Sequence, residues 1–125
     1  MPRPAAHFPS RVPIDAYGDG GFRFADMSHK GSLLILPSGI YGWELGGASR
    51  LAPKSFQAVF DEADEIEFLL LGTGSTQRFP TAKLREAFVT KGVGLEVMDT
   101  GAACRTFNVL LAEARAVAAA LIAVD

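Results

Sequence analysis

The sequence predicts an α/β fold: a single layered domain with a β-hairpin layer at its N-terminal side. Three observations lead there. Two runs rich in β-formers, Ser32 to Leu36 and Ile40 to Leu45, flank the turn Pro37-Ser38-Gly39. Strand, helix and strand patterns follow one another between Glu65 and Met98, the order of a βαβ unit. Phe107, Leu110, Leu111 and Ala114 then make an apolar stripe at helical spacing.

Taken in order, Met1 to Gly21 is rich in Pro and Gly and reads as an arm, ordered where Val12, Ile14 and Tyr17 reach the body. The division expected is an extended arm over 1–13 and one domain over 14–125. Phe22-Arg23-Phe24 alternates apolar and polar, so with the two runs around Pro37 it gives two or three antiparallel strands. Pro53 suits a first helical turn, and Phe56, Val59 and Phe60 share one face of a short helix. Glu65 to Leu71 is a buried strand, and Thr81 to Thr90 is a helix with Gly92 at its stop. Val93 to Met98 alternates as a strand. A helix over about Ala102 to Ala114 follows, with Thr100 as its N-cap. Ala116 to Val124 admits two readings. Ala and Leu favour a continued helix, but the missing polar face and Val117, Ile122 and Val124 favour a strand buried on both sides.

Composition excludes several function classes. The chain has 125 residues, 49% apolar and 21% charged, which fits one domain with a real core. With 12 basic and 14 acidic residues and no basic run, a nucleic-acid partner is not expected. One cysteine and two distant histidines give neither a disulfide nor zinc spacing, so no metal or cofactor is expected and the location expected is cytoplasmic. Ala116 to Val124 is too short to cross a bilayer, so no membrane insertion is expected.

Several residues are candidates, each beside a plainer reading. Gly72-Thr73-Gly74 follows an apolar strand, and such a turn can aim backbone N–H groups at an anion. Its sequence completes neither a dinucleotide fingerprint nor a P-loop, and a tight turn needs the same small residues. Thr100, Arg105 and Asn108, with Thr106, form a polar group beside the helical stripe. They face the Gly72 turn across a pocket, or they cap and tether loops. Cys104 beside Arg105 at a helix start is a candidate thiolate, or a small buried thiol. Phe24, Tyr41 and Trp43 make an exposed aromatic contact patch, or core. The acidic run Asp61, Glu62, Asp64, Glu65 and Glu67 lacks the order of a calcium loop and reads as a solvated helix end. His7 and His29 are assigned no role. No catalytic constellation can be assembled, so a binding module is expected rather than an enzyme, with another protein as its partner.

Phe68-Leu69-Leu70-Leu71-Gly72-Thr73-Gly74, Gly94 to Thr100 and Ala103 to Arg115 carry a resemblance. They resemble a widespread family of small domains of unknown molecular function. It includes assembly factor 3 of mitochondrial respiratory complex I, the NADH:ubiquinone oxidoreductase, and an adipogenesis-associated domain protein. Gly31-Ser32 through Pro37 and Trp43 look like its early strands, and the resemblance spans about Ile14 to Val124. It implies a mixed central β-sheet with helices packed on it, and a strand, not a helix, over Ala116 to Val124. It implies no catalytic activity, and a role in assembling a respiratory or membrane complex through protein contacts. The lack of a mitochondrial-type leader suggests a bacterial member.

Overall fold

The computed structural model describes residues 7–45 and 51–125. Of the expected arm, residues 1–6 lie outside the described residues. Two sheets form. The smaller is antiparallel, with β1 (Ala16–Gly18), β2 (Gly21–Phe24) and β3 (Met27–Lys30) in that order. Its turns, Asp19-Gly20 and Ala25-Asp26, hold all four residues at positive φ, as two-residue hairpins require.

The central sheet contains β4 (Leu33–Leu36), β5 (Gly39–Gly42), β6 (Phe68–Gly72), β7 (Gly94–Met98) and β8 (Val117–Leu121), ordered β5-β4-β8-β6-β7. Strand β8 lies antiparallel to β4 and parallel to β6, so the sheet is mixed. The ambiguous C-terminal run is therefore a strand. All five of its residues are buried, because both faces of the sheet are covered.

Among the described residues three α-helices complete the fold: α1 (Gln57–Asp61), entered through a 3-10 turn at Pro53–Phe56, α2 (Ala82–Lys91) and α3 (Thr100–Ala112). Side-chain alternation divides the core in two. Leu34, Leu36, Leu69, Leu71, Ala118 and Ala120 point to one side, against Phe56 and Val59 and against Leu84 and Phe88 of α2. Leu33, Ile35, Leu70, Val117, Ala119 and Leu121 point to the other, against Ala103 and Phe107 of α3 and Phe22 and Phe24 of β2. The small sheet is thus a layer over the α3 side of the large one.

Some expectations shift. Phe22 to Phe24 and Leu33 to Leu36 were expected in one set of hairpins but enter different sheets, and β1 and β3 were not foreseen. The strand expected from Glu65 begins at Phe68, with Ala63–Glu65 in a 3-10 turn. The N-cap of α3 is Asp99, not Thr100: its Oδ1 accepts the Ala102 N–H at 2.8 Å. The helix ends at Ala112, and Ala114 turns the chain at φ 59°. The acidic run is not simply solvated. Glu62 is buried and accepts from Ser38 N at 3.0 Å and Ser38 Oγ at 2.6 Å, tying the β4–β5 turn to the end of α1. Glu67 pairs with Arg115 at 2.9 Å.

The described part of the arm lies along the β5 edge. His7 N donates to Ile40 O at 2.7 Å, and Ile40 N to Phe8 O at 2.9 Å. Arg11 donates to the carbonyls of Arg115 and Val117 at 3.0 and 3.1 Å. The two histidines meet here with ring centroids 4.8 Å apart, over Gly42, where an added Cβ would lie 3.1 Å from His29. Burial holds the His29 imidazole below its ordinary value of 6.5; His7 pushes the same way, against a hydrogen bond to Ser32 O at 3.1 Å. Unfolded, His29 takes a proton near pH 6.5, while folded it resists. Stability is therefore complete above that pH and falls as acid is added, until the folded imidazole also protonates. Urea midpoints at pH 7.5 and 5.5 check this: the acid loss should be smaller in His29→Phe, and equal losses would refute it.

Candidate functional site

Helix α2 leaves the C-terminal end of β6 on one face of the sheet, and α3 leaves β7 on the other. A crevice opens where such connections part, outside the carboxyl ends of the strands. Here it is a cleft of about 530 Å³ beyond β6 and β8. Leu45, Leu51, Leu71, Ile122 and Val124 supply apolar lining. Thr73, Gly74, Ser75, Thr76, Arg78, Phe79, Pro80 and Thr81 supply one wall, and Asp125 lies among the lining residues.

The wall is shaped by Thr73. Its backbone N–H donates to Met98 O at 2.9 Å, and its hydroxyl donates to Thr76 O at 2.7 Å and accepts from Arg78 N at 3.0 Å. Gly74 sits at φ +99°, which a side chain rarely adopts, and its N–H donates to Thr100 Oγ1 at 2.9 Å. Thr100 Oγ1 in turn donates to Ile122 O at 2.7 Å. A Cβ on Gly72 would lie 2.9 Å from Thr100 Cα, so glycine there lets the start of α3 press onto the strand end.

These distances correct the expected anion cradle. The amides of Thr73 and Gly74 are spent on Met98 and Thr100, and the Thr100 hydroxyl on Ile122. Of the six residues expected to share a pocket, the structure brings together Gly72, Thr73, Gly74 and Thr100. Only Thr73 and Gly74 line the cleft, and Thr100 is fully buried. Arg105 and Asn108 border a separate shallow groove with Tyr17 and Cys104. Asn108 is a tether: Oδ1 accepts Ile14 N and Nδ2 donates to Ile14 O, both at 2.8 Å.

The aromatic patch is also corrected. Phe24, Tyr41 and Trp43 are only 1%, 9% and 6% exposed, and Phe24 packs on the opposite side of the central sheet from the other two. Trp43 Nε1 donates to Ser55 O at 2.9 Å, so even its polar edge is used internally. Cys104 is buried, and burial pushes its thiol up to about 12 although Arg105 pulls the other way. It is a neutral thiol at physiological pH, which removes the thiolate reading. Sequence reasoning missed Arg78 and Phe79. Phe79 is 80% exposed, and the available signal was a Gln-Arg-Phe-Pro run that no apolar period absorbs.

A family described as "Protein of unknown function (DUF498/DUF598)" matches residues 14–122. The chain belongs to this family. Mus musculus NADH dehydrogenase [ubiquinone] 1 alpha subcomplex assembly factor 3 is 32% identical over 117 residues, covering 94% of this chain and 63% of that protein. The chain thus spans less than two thirds of that relative. A crystal structure described as an outer membrane protein from Bartonella henselae is 54% identical with a TM-score of 0.90, covering 95% of this chain and all of that one. The Rpa2829 protein of Rhodopseudomonas palustris is 46% identical with a TM-score of 0.83, covering 98% and 90%. Among the described residues no helix is long and apolar enough to cross a membrane.

Proposed function

We propose that this chain is a non-catalytic protein-binding module that assists assembly of a respiratory or membrane complex, and that its partner docks on the lip of the cleft. The observation that carries the reading is Phe79: a large aromatic side chain, 80% exposed, beside an apolar floor. Aromatic residues, phenylalanine included, are enriched at the core of protein interfaces. The relatives named as complex I assembly factors supply the kind of process. The aromatics of β2 and β5 are core and take no part in docking.

Burying a phenylalanine contributes about 1.5–3 kcal/mol, so Phe79→Ala should weaken partner capture by roughly 10- to 100-fold. Tagged wild-type and variant chains, expressed where the native chain is deleted, are compared for recovery of NADH dehydrogenase subunits and for the amount of assembled complex on native gels. Loss of both with Phe79→Ala, in a variant of unchanged melting temperature, supports the reading. Equal recovery by the two chains moves docking elsewhere. No subunit recovered and normal complex levels without the chain would overturn the assembly role.

A further inference from the structure

We infer that the cleft beyond β6 and β8 binds a small amphipathic monoanion, a carboxylate on an apolar body. This goes beyond the docking reading, because it concerns the interior of the cleft and not its lip. At about 530 Å³ the cleft falls within the range of small-molecule sites, roughly 300–1,000 Å³. Its floor, the half-buried Ile122 and Val124 after β8 with Leu45 and Leu51, offers apolar surface without hydrogen-bonding side chains, over the fully buried Leu71.

The wall decides the sign of the head group. The turn amides are used within the protein, as shown above, so backbone N–H groups of Thr73 and Gly74 do not select an anion. Arg78 does. Among the described residues its guanidinium makes no hydrogen bond and no ion pair, while its backbone N–H is fixed to Thr73 Oγ1 at 3.0 Å. A planar guanidinium matches a carboxylate through two parallel hydrogen bonds. The first turn of α2 opens beside it with no acidic residue. Among the described residues Arg78 is the one cation lining the cleft, and Asp125 also lines it. A ligand with two charges would leave one unmatched and face that carboxylate, so a single charge fits.

The test is an amide-shift NMR titration of the full chain with octanoate, octan-1-ol and acetate, repeated on Arg78→Ala. We expect saturable shifts at Thr73, Gly74, Thr76 and Ile122, with octanoate at least tenfold tighter than either control. Arg78→Ala should lose that tenfold preference over octan-1-ol and leave octan-1-ol binding unchanged. Octan-1-ol binding as tightly as octanoate would reduce the site to an apolar crevice and overturn the proposal. Acetate binding as tightly, or no saturable shift at these residues, would overturn it too. The titration is read on the purified chain alone, so its outcome does not depend on whether subunits are captured, and the two readings fail separately.

Discussion

Thr100→Val should destabilise the chain by about 2–4 kcal/mol and lower its melting temperature by roughly 8–15 °C. The shape of the side chain is kept, so the loss is one of hydrogen bonding. Oγ1 accepts from Gly74 N and donates to Ile122 O, at 2.9 and 2.7 Å, in a residue with no solvent exposure. Valine satisfies neither, and an orphaned buried amide or carbonyl costs about 1–3 kcal/mol. Thr100→Ser keeps the hydroxyl and should recover most of the loss. Denaturation of the three chains checks this. A valine variant within 1 kcal/mol of wild type would mean that water or local movement replaces both bonds, and the cleft wall would then not depend on Thr100.

Asn108→Ala should cost about 2–3 kcal/mol and expose the Ile14 amide to rapid hydrogen exchange. The side chain acts as a strand partner would, meeting both the N–H and the C=O of Ile14. That seats Ile14, itself buried, just ahead of β1, and it links the small sheet to α3. Asn108→Asp is the sharper variant. Its carboxylate still accepts from Ile14 N but sets a second oxygen against Ile14 O, so it should be at least as damaging at pH 7. An aspartate variant as stable as wild type would refute the two-point tether.

The elements easiest to read in the sequence are those whose local chemistry and burial agree. Gly92 ends α2 at φ +73°, and Pro37-Ser38-Gly39 turns β4 into β5. The featureless Val117 to Leu121 run fits a strand covered on both faces, though the resemblance was needed to choose it over helix. β1 and β3 were hidden for the opposite reason. Ala16-Tyr17-Gly18 and Met27-Ser28-His29-Lys30 form the outer strands of a small sheet and bury no full face. Their hairpins turn at Asp19, Ala25 and Asp26, non-glycine residues in a conformation usually marked by glycine.

The site was legible in its turn and illegible in its membership. Gly74 and Thr100 meet through one hydrogen bond, but the polar run after Thr100 was read as one cluster. A helix turns 100° per residue, so Arg105 stands about 140° round from Thr100, and roughly 7.5 Å along the axis. That spacing was in the sequence and argued against a shared pocket. The burial of Tyr41 and Trp43 was not available in the same way. Alternation puts Tyr41 of β5 and Trp43 just after it on one side, but only the tertiary packing of Phe56 and Val59 decides that this side is inward.

The position of β8 has a consequence for how the chain is made. It sits between β4 and β6, so the two halves of the central sheet are joined only through residues 117–121. On a ribosome the β4–β5 hairpin and the β6–β7 pair emerge first, each with one long edge unpaired and apolar. They wait for β8, which follows them in the chain, before either can be joined to the other. Until then the edges of β4 and β6 that β8 will pair are open templates for mispairing.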